Sequence, residues 1–114
     1  MTLPMDRQRL IDMRDNARRA VAFLGEADAA ALESDELRLF AVLHAIQVVG
    51  EAAAKVSEAS RVQSPGIAWS QATRMRHLLV HNYNEIKVDI VVQTVRDDLP
   101  GLIAELETIL EGDS

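Results

Sequence analysis

The chain has 114 residues, 48% of them apolar and few aromatic, with no cysteine and a formal net charge of −6 at neutral pH. This length allows one core that hides about two-thirds of the unfolded surface, and the absence of cysteine excludes a disulfide framework and thiolate metal sites. The acidic balance speaks against non-specific nucleic-acid binding, and the Ala-, Leu- and Val-rich apolar set suits packed helices better than aromatic-rich strands.

The N-terminal residues show no signal-peptide h-region, and no apolar run approaches the roughly 20 residues that would cross a bilayer. The expectation is a cytoplasmic protein of one helical domain over residues 1–114. Leu10, Met13, Ala17, Ala20 and Leu24 recur at spacings of 3 and 4, which predicts a first helix from Pro4 to Leu24, ended by Gly25. Asp15 and Arg19 stand as an i,i+4 pair on it. The alanine-rich residues 26–33 read as loop or an extra helical turn.

Ser34 is a good N-cap, with Asp35 and Glu36 following where the helix dipole favours acids. A second helix to about Ala59 carries two apolar stripes: Leu39, Leu43, Ile46, Gly50 and Ala53, and Leu37, Ala41, Val48 and Ala52. A helix apolar on two sides belongs at the centre of a bundle. Gly50 weakens a helix by ~1 kcal/mol relative to Ala, so its presence predicts close approach of a neighbour. Glu51 beside it is expected to be partly buried with a cationic partner, Arg76 being the candidate. His44, on the second stripe, reads as a core histidine.

Residues 60–66 read as a linker, punctuated by Pro65-Gly66. A third helix is expected over residues 68–80, with Ala68, Ala72, Met75 and Leu79 facing the core and Trp69 as a packing anchor rather than a base-stacking platform. Residues 82–85 make the turn. Val88, Val92, Val95, Leu99, Leu102, Leu106 and Ile109 then alternate by 4 and 3, a helical period that overrules the local β-branched character. Pro100 interrupts it, so a break is expected, with Asp98 near the cap of a final helix to about Glu111; a single kinked helix is the alternative.

The densest chemistry lies at Arg76-x4-His81-x-Tyr83. Residues 61–84 hold three arginines and no acid, leaving all 18 carboxylates to the rest of the chain. An arginine can hold a phosphate, and a histidine can move protons near neutral pH. On a continuous helix Arg76 and His81 would stand about 140° apart. Asn82 and Asn84 favour a helix stop, so Arg76 is expected in the last turns of a helix, with His81 turned back beside it at the frayed end. His77 and His81 are also i,i+4, but position 78 is Leu, so the His-Glu-x-x-His zinc pattern is absent and no metal is expected. A plain helix cap, with His81 against the dipole, is the structural alternative.

This segment resembles the HEPN superfamily, whose signature is Arg-x4-6-His, and most closely its HepT-like branch with Arg-x4-His-x-Tyr. Val49-Gly50-Glu51-Ala52, Ile67-Ala68-Trp69 and Asp98-Leu99-Pro100-Gly101-Leu102 resemble further boxes of that branch, in the family's order. Two positions depart from it. Arg74 stands where the branch usually has Gly, and His77 where it usually has Asn, so His77 could share or alter the proton chemistry.

The resemblance implies an all-α, antiparallel bundle of four to five helices that dimerises so that two motifs share one cleft. It implies a metal-independent endoribonuclease with no cofactor, Arg76 and His81 catalytic, His77 and Glu51 in support, and transfer RNA as a candidate substrate. It further implies the toxin of a toxin–antitoxin pair. In the branch, the tyrosine matching Tyr83 accepts AMP from a minimal nucleotidyltransferase antitoxin of the MntA type, placing bulk and negative charge where an RNA phosphate must bind. The alternatives are a non-catalytic HEPN module that helps a nucleotidyltransferase bind its substrate, and a plain helical interaction domain.

Overall fold

The computed structural model describes residues 4–78 and 86–112, and every regular element among them is helical. Helix α1 (Pro4–Leu24) buries Leu10, Met13, Ala17, Ala20 and Leu24, the stripe its spacing predicts. Gly25 then takes a φ of 55°, a left-handed conformation that glycine adopts without a Cβ clash, and the helix stops. A short helix α2 (Ala29–Glu33) follows, its Asp28 cap accepting the Ala31 N–H at 2.8 Å.

Helix α3 (Glu36–Lys55) is capped by Asp35, which accepts the Arg38 N–H at 3.1 Å; Ser34, the expected cap, instead closes α2 with its hydroxyl on the Ala30 carbonyl. The helix also ends earlier than expected. Val56 is extended, and Ser57 caps a further short helix α4 (Glu58–Gln63), so the first part of the expected linker is helical. A serine able to accept the N–H of Ser60 offers the backbone a new start, which the surrounding alanines did not signal.

Side-chain bridges fix the topology. Asp6 at the start of α1 accepts hydrogen bonds from Ser57 and Ser60 beyond the end of α3, so these two helices run antiparallel. At its other end α1 meets the last long element, where Arg96 donates to the Ala27 carbonyl and Arg18 pairs with Glu107 at 3.0 Å. The expected Asp15–Arg19 pair does not form: Asp15 pairs with Arg14 at 3.0 Å, and Arg19 donates to Asn16. The result is an all-α bundle of four principal bodies with two short helices between them.

Only one of the two α3 stripes is buried. Leu39, Leu43, Ile46, Gly50 and Ala53 join the core, together with Val42, Ala45 and Val49. On the other stripe only Ala52 is buried; Leu37 is 85% exposed, Ala41 and Val48 are half-buried, and nearby Phe40 is 44% exposed. His44 on this side is exposed, not a core residue. The helix is therefore covered on one side within a single chain. At 20 residues α3 is long and apolar enough, by length and composition, to cross a membrane, contrary to expectation; burial of half that window in the core accounts for its apolarity.

The C-terminal segment does not break at Pro100. Helix α6 (Val88–Gln93) passes through one π turn (Thr94–Asp98) into α7 (Leu99–Gly112), so the kinked-helix alternative is the better description. A proline needs relief from the carbonyl four residues back and has no N–H to give. The π turn supplies a wider coil immediately before it, with the Leu99 N–H bonded to Thr94 five residues earlier. Asp98 lies within this turn instead of capping a helix. The extra residue also keeps the apolar face in phase: Val91, Val95, Leu99, Leu102, Leu106 and Leu110 are buried, whereas Val88, Val92 and Ile109 are only partly so.

Candidate active site around Arg76

Helix α5 (Trp69–Arg74) is held at its start by a latch drawn from three elements. The Trp69 indole N–H donates to the Ser64 carbonyl at 3.0 Å, and the Arg61 guanidinium lies 5.7 Å from the centre of its ring while donating to the Ala53 carbonyl at 2.8 Å. The tryptophan is thus an anchor, as expected. Local spacing gives no sign of Arg61's part, because Ala53 and Trp69 come from separate helices. Ile67 is buried in place of the expected Ala68, which is exposed, while Ala72 and Met75 face the core.

After Arg74 the coil tightens into a 3₁₀ turn (Met75–Leu78), where the α-helix was expected to run on. Each residue there advances about 120° instead of 100°. The tightening carries the backbone of Arg76 against α3 at Gly50. A Cβ built on Gly50 would lie 2.8 Å from the Arg76 Cα and 2.9 Å from its Cβ, and nearer still to its backbone nitrogen. These are atoms that cannot swing aside. Gly50 is therefore required here by close approach, as its position in a helix predicts, and the neighbour is the backbone of Arg76 itself.

Arg76 is half-buried, and its Nε is shut away from solvent without a hydrogen-bond partner among the described residues. Glu51 does not fill that place. It is exposed rather than partly buried, and among the described residues it makes no ion pair with Arg76. The closest approach to Arg76 comes one residue earlier on α3, through main chain. Arg74 and His77 on either side of Arg76 are both exposed. His81 and Tyr83 lie outside the described residues, and with them the expected convergence of Arg76 and His81.

Two hollows adjoin the turn. One is a shallow groove lined by Gln71, Arg74, Met75, Leu78, Thr94 and Asp98. The other, of about 270 Å³, has an apolar floor that includes Ile67, Ala72 and Leu102 and an acidic rim of Asp97, Asp98 and Glu105. Burial, reinforced by the Asp97 charge, pushes the Asp98 carboxyl above its ordinary value. No cluster of three His, Asp or Glu suited to a metal ion occurs among the described residues.

Comparison with known proteins places this geometry in context. The family model for HepT-like ribonucleases matches residues 13–109. A Methanocaldococcus jannaschii protein named as a candidate RNase, MJ1380, is 24% identical over 100 residues, covering 88% of this chain and 92% of that protein. The Probable ribonuclease HepT of Thermococcus cleftensis is 32% identical over 75 residues, 66% of this chain and 68% of that protein. A second Methanocaldococcus jannaschii candidate RNase, MJ0127, is 27% identical over 102 residues, covering 90% and 84%. No solved structure is matched.

Proposed function

We propose that this chain, which belongs to the HepT-like ribonuclease family, is a metal-independent endoribonuclease of the cytoplasm that works as a homodimer and serves as the toxin of a toxin–antitoxin pair. The observation that carries the reading is the seat of Arg76. Its backbone is wedged on Gly50, and its Nε is left without a partner among the described residues. The backbone is fixed at Gly50, and among the described residues no carboxylate pairs with the guanidinium, whose terminal N–H groups are of a kind suited to the paired oxygens of a phosphate.

The chemistry needs three things: a base to take the ribose 2′-OH proton, positive charge on the phosphoryl oxygens, and an acid for the leaving oxygen. The 2′ oxygen forms a bond to phosphorus, the bond to the 5′ oxygen breaks, and that oxygen takes a proton. The products are a cyclic phosphate and a 5′-hydroxyl. Arg76 supplies the charge and His81 moves protons, with the partner's motif providing the second proton carrier in a shared cleft.

An unburied apolar face supports the dimer. Leu37, Phe40, Ala41 and Val48 lie exposed or half-buried on α3, and this helix also bears Gly50. Two chains meeting there would cover the face, while Gly50 and the Arg76 turn lie on the core side of the same helix. Tyr83, two residues from His81, is the AMP acceptor for a minimal nucleotidyltransferase antitoxin of the MntA type, and transfer RNA is a candidate substrate.

The test is cleavage of total and transfer RNA in excess chelator by the parent, Arg76→Ala and His81→Ala proteins. The reading expects cutting by the parent alone. Equal cutting by all three removes the nuclease assignment, and RNA binding without cutting by the parent would favour the non-catalytic module.

A further inference from the structure

Arg76 is not the only donor on this element. Gln71, Arg74 and His77 follow one another at intervals of three and are all exposed. Three residues advance about 300° in an α-helix and a full turn in a 3₁₀ coil, so the three side chains form one row along α5 and the turn that ends it. The row is about 10 Å long at 1.5–2 Å per residue. Arg76 is not part of it: two residues beyond Arg74 is about 200–240° round the axis, which puts Arg76 against α3 and the row on the outer side.

Neither Arg74 nor His77 makes an ion pair or hydrogen bond among the described residues, although the chain has an excess of acids. No acid stands on α5 or on the 3₁₀ turn. The carboxylate lining the groove that Gln71 and Arg74 border is Asp98, and Asp97, Asp98 and Glu105 rim the hollow on the other side of Gln71. A polyanion laid along the row meets donors there and is repelled by those three acids from the neighbouring hollows.

We infer that Gln71, Arg74 and His77 form a second contact for the backbone of single-stranded RNA, flanking the phosphate held by Arg76. The inference rests on the ribonuclease reading and adds to it: Arg76 acts at the scissile phosphate, whereas the outer row grips the strand beside it. His77 is thereby a positioning residue that works with Arg74, not a second proton carrier at Arg76. A dipole role for Arg74 at a helix end is the competing explanation; it affects folding and leaves RNA affinity alone.

The experiment uses the full chain carrying His81→Ala, so that RNA is bound without being cut, and a labelled single-stranded RNA oligonucleotide titrated at several salt concentrations. Arg74→Ala in this background is expected to weaken binding about fivefold, the scale of one exposed ion pair. The log–log salt slope is expected to fall by about 0.7, the value of one phosphate contact on a single strand. Arg74→Lys should restore most of both, and melting temperature should not change. In the active protein, Arg74→Ala and His77→Ala should raise KM and leave kcat near the parent value.

Parent-like affinity and salt slope in Arg74→Ala and His77→Ala, with cleavage by the active parent intact, would overturn the outer contact while leaving the ribonuclease reading in place. A fall in kcat at constant KM for His77→Ala would return it to the proton chemistry and overturn its assignment here. Loss of binding to the purified nucleotidyltransferase partner, with RNA affinity unchanged, would make the row a protein-docking surface instead. If the parent neither binds nor cuts RNA, both readings fall together.

Discussion

Gly50 and Arg76 meet main chain to main chain, at a distance that leaves no room for a Cβ on the glycine. The contact joins the centre of the bundle to the turn bearing Arg76, so the backbone from which the guanidinium extends is held by α3 as well as by the short α5. Substituting Gly50→Ala forces its methyl into the Arg76 backbone. Overpacking of this kind costs about 1–3 kcal/mol, and moving a catalytic group by about 1 Å can cost roughly a hundredfold in rate. We expect Gly50→Ala to lower the melting temperature and to reduce RNA cleavage by more than the fraction unfolded explains. A variant with parental stability and activity would show that the turn does not depend on this contact.

The buried Asp6 is a separate point of attachment. Its carboxylate accepts the Ser57 N–H at 2.9 Å and the hydroxyls of Ser57 and Ser60, and these bonds hold its pKa below the ordinary value of 3.8 while burial opposes them. A group whose folded pKa is depressed contributes stability that is fully present above its unfolded pKa and is lost as pH falls through the folded one. Asp6→Ala leaves three donors without their acceptor, at a cost of about 1–3 kcal/mol near neutral pH. The difference in unfolding free energy between parent and variant should be constant from pH 7 to about 5 and shrink below about 4. Urea titrations at several pH values measure it, and a difference that grows on acidification would contradict the assigned role.

Parts of this architecture were legible in the sequence because they depend on near neighbours. The 3–4 spacing on α1 needed only the helical period, and the demand for close approach at Gly50 needed only the cost of glycine in a helix. The features that were not legible arise from competition or from the rest of the chain. Ser57 stops α3 because a serine cap outweighs a few more alanine positions, which composition does not reveal. Pro100 signalled a disturbance, but whether the coil breaks or widens is decided by burial of Leu99 and Leu102 on either side of it. The second stripe of α3 was read as core, yet an apolar row looks the same facing its own bundle or another chain. Glu51 was expected to be partly buried beside a glycine that permits close approach, with Arg76 as the candidate partner; one residue round a helix is about 100°, enough to turn it to solvent.

That outer face of α3 yields a direct prediction. Leu37 is 85% exposed and Val48 half-buried in a single chain. Leu37→Glu should therefore change the stability of an isolated subunit by no more than about 0.5 kcal/mol, but a charge placed in an apolar interface is strongly unfavourable. Sedimentation equilibrium is expected to show a dimeric parent and a monomeric Leu37→Glu, Val48→Glu double variant, with cleavage activity lost despite unchanged helical content. A monomeric parent that cleaves RNA, or a double variant that stays dimeric, would rule out this face as the dimer interface.

The proposed silencing through Tyr83 makes the sharpest chemical prediction, because it concerns mass rather than rate. Transfer of AMP from ATP joins the tyrosine oxygen to the α-phosphorus and releases pyrophosphate, leaving an added anion two residues from His81. An RNA phosphate directed to Arg76 then meets like charge and bulk together. Incubation with a minimal nucleotidyltransferase of the proposed antitoxin type and ATP should add one or more AMP units to the parent and none to Tyr83→Phe. Cleavage should fall with the modified fraction in the parent and persist in the variant. Modification of Tyr83→Phe, or full activity in the modified parent, would separate AMP transfer from control of this site. Arg74→Ala supplies an internal control: it weakens RNA contact outside the motif, so it should lower affinity in the unmodified protein without altering how much AMP the parent tyrosine accepts.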